Sequence, residues 1–502
     1  MLVRPIYIAI LGLLIFSVCP AQEVINFRTT YFPWSEIIDS TSLTFHKTVN
    51  TPLESFAILN PRVGTSFNSH YPRGYNDGPI WKGKGLTIEL HGGIAGKKGK
   101  LSYVFYPALY YSQNSAFETA QILTGENAKF RYHFIRGGAQ IDWVQRYGNG
   151  GFVKAHPGQS EIKMDFGVLE TAISTINYSL GPSMFNPILL SHQAGGFPHL
   201  RIGTEPFDLT IRKAETGKWE FNYIAGLLKE SDYFDTNAKN NDRFFNGIFV
   251  GYSPKFLPEL TLGFNKVLYK DTQFFENKDL FSPIYIFDGG ERGDSINTND
   301  TFDQVASISL EWNLPKSGFK AYLEFAKNDF TGAASRFLLE PEHSRAYTIG
   351  FEKAFKTKKG KEIIINYEHT NLSINHTYLW RATPSFYLHQ VNKQGYTNDG
   401  QIVGAGIGPG GNSALFGLRI KGEDQILGFL VQRIEANKDY FIINVQGRDN
   451  HDIEYSIGTN LQKKLSSMIL SVEGIFSYNY NRYYLDDQTN IYLSVSSIIM
   501  LD

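Results

Sequence analysis

The chain has 502 residues, with 48 Lys plus Arg against 49 Asp plus Glu and a formal net charge of −1. Charge is near balance, and the sequence shows no basic patch of the kind by which proteins hold nucleic acid. Cys19 is the sole cysteine, which excludes a disulfide framework, and after residue 19 no stretch has the roughly 20 apolar residues that a transmembrane helix needs.

In chain order, Arg4 comes first, followed by an apolar run from Ile6 to Cys19 and small residues at Cys19 and Ala21. A basic start, a short apolar stretch and a small-residue cut site predict a signal peptide over residues 1–21. Val18 is a poor neighbour for a lipidated cysteine, so Cys19 is read as part of that leader. Residues 22–84 are expected to lead into a barrel that occupies 85–502. Short helical turns are expected around Trp34 to Ser42 and Glu118 to Leu123.

Strict alternation dominates the rest. Trp219, Phe221 and Tyr223 alternate with Lys218, Glu220 and Asn222, and Leu260, Leu262 and Phe264 follow the same rule. From Ala306 to Leu314 the apolar set Ala306, Ile308, Leu310, Trp312 and Leu314 is separated by Ser307, Ser309, Glu311 and Asn313. Pro315 to Gly318 then reverses the chain into Phe319, Ala321, Leu323 and Phe325. Tyr347, Ile349 and Phe351, then Ile363, Ile365 and Tyr367, flank a basic turn, and Ile491, Leu493 and Val495 close the series. Period two with turns between predicts antiparallel hairpins, one face apolar and the other polar.

The connections alternate in length as well. Lys97 to Lys100, Ala214 to Gly217, Pro315 to Gly318 and Gly422 to Asp424 are short; Ser231 to Arg243, Asp271 to Asp300, Phe330 to Glu342 and Pro384 to Asn412 are long. Short periplasmic turns and long extracellular loops are the outer-membrane arrangement, and in lipid only a closed barrel pairs every strand. The 15% aromatic content suits the two membrane interfaces. A soluble sandwich also alternates, but it rarely carries so many strands of about ten residues in an exported chain without disulfides. The expected fold is therefore all-β, a transmembrane antiparallel β-barrel. Long loops such as Asp271 to Asp300 are expected to close over its mouth.

Chemistry-bearing motifs are sparse. The run Gly404 to Gly411 lacks the strand–turn–helix setting of a phosphate loop and reads as a tight loop with close backbone approach. Asp294, Asn297, Asn299 and Asp300 offer oxygens, but their spacing matches no calcium loop, so Asp288 to Asp303 reads as a solvated loop. No nucleophile elbow or paired-histidine zinc motif occurs. The reading assigns no catalytic residue, no metal and no cofactor. Two segments, Tyr71 to Leu86 and Leu180 to Arg201, interleave aromatic and polar residues with glycine and proline. Turn chemistry and interface anchoring by Trp81 account for them; so does sugar recognition, with rings stacking on sugar faces and amides, carboxylates and imidazoles bonding hydroxyls. The residues alone favour the first account.

A resemblance shifts that balance. The pieces GYNDGPIWKGKGL from Gly74, QRYGNG from Gln145, GQSEIKMDFG from Gly158, NPILLSHQAGGFPHLRIGT from Asn186, HSRAYTIGFEK from His343 and QGYTNDGQIVGAGIGPGGNS from Gln394 resemble the capsule-assembly Wzi family of outer-membrane proteins, in the form common in Bacteroidetes. The resemblance implies a barrel of about 18 strands that helps assemble capsular or other surface polysaccharide as a lectin, without catalysis. Its expected partners are that polysaccharide and outer-membrane lipid, with no nucleic acid, and the chain is expected to be a monomer. Carried onto this sequence, Tyr75, Asn76, Asp77 and Trp81, then His192, Gln193, His199 and Arg201, then Tyr396, Asn398 and Gln401 become candidates for glycan contact or loop closure. Two departures stand out. Where relatives often carry paired tryptophans before Gly-Pro-Gly, this chain reads Tyr178-Ser-Leu-Gly-Pro-Ser183, and its end, Met500-Leu501-Asp502, lacks a terminal aromatic. Two other readings remain open: a diffusion channel for sugars or small nutrients, and a membrane-embedded hydrolase or acyltransferase.

Overall fold

Alternating side chains give each strand one apolar and one polar face, and antiparallel pairing of neighbours turns those faces into a tube. In the structure, a computed structural model, residues 45–47, 56–120, 130–134, 140–235, 241–284, 302–328, 338–381, 383–445 and 449–501 are described. Among them an 18-strand antiparallel sheet closes into a barrel.

In chain order the strands are β1 (Ala57–Asn68), β2 (Gly85–Lys98), β3 (Leu101–Phe105 with Ala108–Ser112), β4 (Phe152–His156 with Glu161–Asp165), β5 (Leu169–Ser174) and β6 (His199–Thr204 with Phe207–Ile211). Then come β7 (Ala214–Leu228), β8 (Arg243–Pro254), β9 (Leu260–Asp271), β10 (Asp303–Leu314), β11 (Phe319–Asn328) and β12 (Arg345–Lys356). The last six are β13 (Glu362–Asn371), β14 (Asn412–Lys421), β15 (Gln425–Glu435), β16 (Ile453–Lys464), β17 (Met468–Tyr480) and β18 (Gln488–Ile499). β18 closes the ring on β1, from Asn68 opposite Tyr492 to Arg62 opposite Ile498. The three strands that come in two pieces break at Pro107, Pro157 and Pro206, where proline has no N–H for the ladder.

Several expectations shift. The barrel begins at Ala57, not Gly85, because Ala57–Asn68 already pairs on both sides. The turn expected at Ala214 to Gly217 falls at Arg212 and Lys213, both at positive φ, while Gly217 sits inside β7 opposite the register shift at Leu209. Glycine there serves a bulge. Glu118 to Ala120 is irregular, not helical. The signal peptide, the Trp34 to Ser42 turn and the Asp294 to Asp300 loop lie outside the described residues.

The solvent pattern is the reverse of a soluble protein's. Ile308, Leu493, Ile173 and Ile457 stand 55%, 52%, 70% and 59% exposed on the outer wall, whereas Asn265, Ser307, Glu324, Thr348 and Ser477 point inward and are buried. An apolar band around a polar interior is what a bilayer selects. Trp219 stacks on Tyr252 at 4.3 Å near the short-turn end, an aromatic anchor at that interface.

The interior is filled by the chain itself. The long connections around 70–84, 175–198 and 385–411 fold inward, and Leu180, Ile188, Leu189, Tyr387, Tyr396 and Val403 pack there with the wall residues Phe245, Val267 and Tyr269. Polar wall groups satisfy the plug's backbone: Glu368 accepts from the N–H groups of Met184 at 2.7 Å and Asn186 at 2.8 Å, and Glu324 from that of Ile188 at 3.1 Å. The glycine run does allow close approach, since a Cβ at Gly404 would lie 2.1 Å from the Ile188 carbonyl oxygen. The described part of the Asp271 to Asp300 connection does not cover the mouth. It turns outward instead, because its partners Tyr223 and Asn246 stand on the outer wall.

Candidate functional site

The segment from Tyr71 to Lys82 is drawn into the lumen by Asn68 at the top of β1. Its Nδ2 donates to the carbonyls of Arg73, Lys82 and Gly83 at 3.1, 3.0 and 3.3 Å. Asn76 and Gly78 adopt positive φ, as an Asn-Asp-Gly turn allows. The turn is locked to the neighbouring inward loop: Gly78 N–H donates to the His192 carbonyl at 2.6 Å, Asn76 Nδ2 to the Phe185 carbonyl at 3.0 Å, and Asn76 N–H to Gln193 Oε1 at 2.9 Å. Lys82 Nζ reaches Asp77 at 2.6 Å and Tyr492 OH at 3.0 Å.

Against this segment, on its extracellular side, lies a cavity of about 210 Å³. A single water needs only about 10–15 Å³ by this measure, so the space is ligand-sized. Tyr71, Tyr75, Trp81, Trp143 and Tyr483 supply aromatic surface, and Arg73, Lys82 and Arg482 face Asp77, Asp452 and Glu454. Among the described residues the lining contains no Ser, Cys or His. Arg73 pairs with Glu454, which also accepts from Tyr71 OH at 2.9 Å. The Arg482 guanidinium lies 3.8 Å over the Tyr71 ring and donates to Tyr483 OH at 3.0 Å, so its charged face is held flat against the aromatic wall. Oδ2 of Asp77 and Oδ1 of Asn479 are buried and have no hydrogen-bond partner among the described residues. Burial lifts the Asp77 carboxyl to about 6 against the pull of the Lys82 ammonium. It does the same to Asp452, to about 6, against Arg482.

The residues singled out from the sequence divide by position. Tyr75, Asp77, Trp81, Gln193 and Gln401 line the cavity. Trp81 also donates to Asn114 Oδ1 at 3.4 Å and leans on Tyr147 at 5.0 Å. Asn76 and His192 border a smaller void of about 60 Å³ beyond the turn, with Arg62, Glu89 and His91. The others serve the scaffold of plug and wall. His199 is buried with Nδ1 2.7 Å from the Phe197 carbonyl oxygen. Arg201 is buried, ion-paired with Glu170 and donating to Asn222 Oδ1 at 2.9 Å. Tyr396 OH donates to the Leu189 carbonyl at 2.7 Å. Asn398 donates to the Gly195 carbonyl at 2.9 Å and accepts from Lys229 N–H at 3.0 Å.

Sequence reading passed over Trp143, Asn437, Asp452, Asn479, Arg482 and Tyr483, all part of the lining. The one available signal was the Arg482-Tyr483-Tyr484 cluster in a connection between two alternating segments. Among the described residues no group of three or more His, Cys, Asp or Glu is placed to hold a metal ion.

The sequence profile of the family described as capsule assembly protein Wzi matches residues 82–485. Among solved structures, the chain is similar to Wzi, an outer-membrane protein involved in group 1 capsule assembly in Escherichia coli and described as a carbohydrate-binding β-barrel. The identity is 14%, with 87% of this chain and 84% of that one covered, at a TM-score of 0.56. OccD3 of Pseudomonas aeruginosa is 9% identical over 95% of this chain and all (100%) of its own, at a TM-score of 0.45. OccAB2 of Acinetobacter baumannii is 11% identical over 87% and 96%, at 0.40. Among curated proteins none matches this sequence.

Proposed function

The chain belongs to the capsule assembly protein Wzi family, and from that premise we propose that it is an outer-membrane lectin that holds capsular or other surface polysaccharide at the cell surface without chemically altering it. We place the glycan in the 210 Å³ cavity, against Trp81, Trp143 and Tyr483, with Arg482, Asp77, Gln193 and Gln401 as polar contacts. Residues 1–21 serve as its export signal, and it works as a monomer.

One observation carries this reading: the aromatic side chains of Trp81, Trp143 and Tyr483 share one cavity lining with the polar side chains of Asp77, Gln193, Gln401, Asn479 and Arg482, at the end of the barrel that bears the long connections. Carboxylate, amide and guanidinium groups bond sugar hydroxyls while the apolar face of the ring stacks on an aromatic side chain. The filled lumen favours a holding role over free diffusion of nutrients.

The test is retention. A strain lacking the gene is expected to make polysaccharide but release it into the medium; wild-type protein restores retention, and a double Arg482→Ala, Tyr483→Ala variant that reaches the membrane does not. Normal retention in the deletion strain would defeat the proposal.

A further inference from the structure

We propose that residues 272–284 form a strap inserted into the outer leaflet, with Leu280 and Phe281 among lipid acyl chains and Glu276 and Lys278 at headgroup level. The starting point is the outer wall of β7 to β9. Arg243, Phe245, Val267 and Tyr269 point into the lumen, where Arg243 donates to the Gly395 carbonyl at 2.7 Å and Tyr269 packs 5.4 Å from Tyr396. Their alternating neighbours Phe244, Asn246, Lys266 and Lys270 therefore face outward. Elsewhere that face is apolar and exposed, yet here Asn246, Lys266 and Lys270 are only 0%, 5% and 4% exposed.

The strap is the cover. Lys270 Nζ meets Asp279 at 2.5 Å, Asn246 Nδ2 donates to the Asp279 carbonyl at 2.6 Å, and Tyr223 OH donates to the Leu280 carbonyl at 2.7 Å. Phe275 packs on Phe244 at 4.6 Å. A lysine bare to lipid is disfavoured within the apolar band; at Lys270 the strap replaces that exposure with the Asp279 carboxylate.

Height fixes what the other side of the strap meets. Tyr223 is four residues above Trp219, which sits in the aromatic layer at the short-turn end. At about 3.3 Å per residue and a tilt of about 40°, that is roughly 10 Å up an apolar band about 25 Å tall. Leu280 thus contacts the wall within the apolar band, below Asp279, which pairs with Lys270 at the penultimate position of β9, and Phe281 beside it is 57% exposed, like the lipid-facing Leu227 and Ile308. The exposed Glu276–Lys278 pair, at 2.6 Å, belongs with Phe275 near the strand tops. Lipid, not a protein partner, fits a surface that continues the membrane band and carries its charges only at the upper edge.

Spin labels test the insertion. In a Cys19→Ser background, Phe281→Cys and Lys278→Cys are each labelled with a nitroxide and the folded protein placed in phosphatidylcholine vesicles. Power saturation is then compared with oxygen, which concentrates in acyl chains, and with a water-soluble nickel chelate. The expected logarithm of the oxygen-to-nickel collision ratio is positive at 281 and negative at 278. Nickel access at 281 equal to that at 278 overturns the proposal, and so does exclusion of both reagents, which signals cover by a second copy or another protein. Asp279→Ala in the Phe281→Cys chain is expected to shift the ratio at 281 toward nickel as the strap loosens; an unchanged ratio overturns the pinning role of the Lys270–Asp279 pair.

Discussion

Across 184 residues of chain, the backbone N–H of Met184 donates to the carboxylate of Glu368 at 2.7 Å. The same carboxylate accepts from Asn186 N–H at 2.8 Å and Tyr322 OH at 2.9 Å, so one wall residue on β13 anchors a turn of the plug. Each buried N–H deprived of its acceptor costs about 1–3 kcal/mol. Glu368→Ala is therefore expected to loosen the 183–188 turn, lower the temperature at which the barrel unfolds in gel-shift assays, and produce ion conductance in planar bilayers where the parent has little. Glu368→Gln, keeping one acceptor oxygen, falls between. An alanine variant as closed and as stable as the parent contradicts this anchoring role.

Cavity and scaffold residues separate by assay. Arg482→Ala removes a cation held flat against Tyr71 and is expected to weaken oligosaccharide binding about tenfold, equivalent to about 1.4 kcal/mol, with little change in unfolding temperature. His199→Ala loses a buried contact with the Phe197 carbonyl oxygen. It is expected to cost about 1 kcal/mol or more of stability while the folded fraction binds glycan normally. Calorimetric titration beside thermal unfolding reads both; reduced affinity of folded His199→Ala would move that residue into the site.

Binding should depend on pH. Burial raises the Asp77 and Asp452 carboxyls from 3.8 to about 6. Between about pH 4 and 6 the folded chain thus keeps protons that the unfolded chain has released, and these two groups favour folding most at low pH, an advantage lost as pH rises through about 6. Protonation also leaves Arg73, Lys82 and Arg482 facing Glu454 alone. Affinity for an acidic oligosaccharide is expected to rise from pH 7.5 to 5, and Asp77→Asn with Asp452→Asn should flatten the profile. Equal affinity across that range in the parent argues against carboxylate control.

On the lipid face, Ile308→Arg places a charge at a position 55% exposed to the membrane. It is expected to destabilise folding into vesicles by about 2–4 kcal/mol if the site lies near the midplane, read from urea titrations. A neutral effect would mean that this wall does not meet hydrocarbon.

Much of the fold was readable along the chain because membrane and lumen impose a local rule. Ile308 and Ser307, or Leu323 and Glu324, differ in polarity because consecutive side chains point to opposite sides of a strand, and no distant contact is needed to see it. Turn placement was less legible: Gly217 looks like a reversal, but it opposes a bulge, and Arg212 and Lys213 turn the chain.

The sequence by itself determined the class of fold, the apolar outer band and the family motifs, since each is written in neighbouring residues. Tertiary structure alone decided that His199, Arg201, Tyr396 and Asn398 are taken up in hydrogen bonds within plug and wall while Arg482, Asp452 and Trp143 meet Trp81 around one cavity. It alone put the 272–284 segment on the outer wall. The physical reason is closure: once β18 pairs with β1, segments hundreds of residues apart share a lumen that the inward-folded connections fill, and hydrogen bonding within it, not order along the chain, sets which side chains stay free for a ligand.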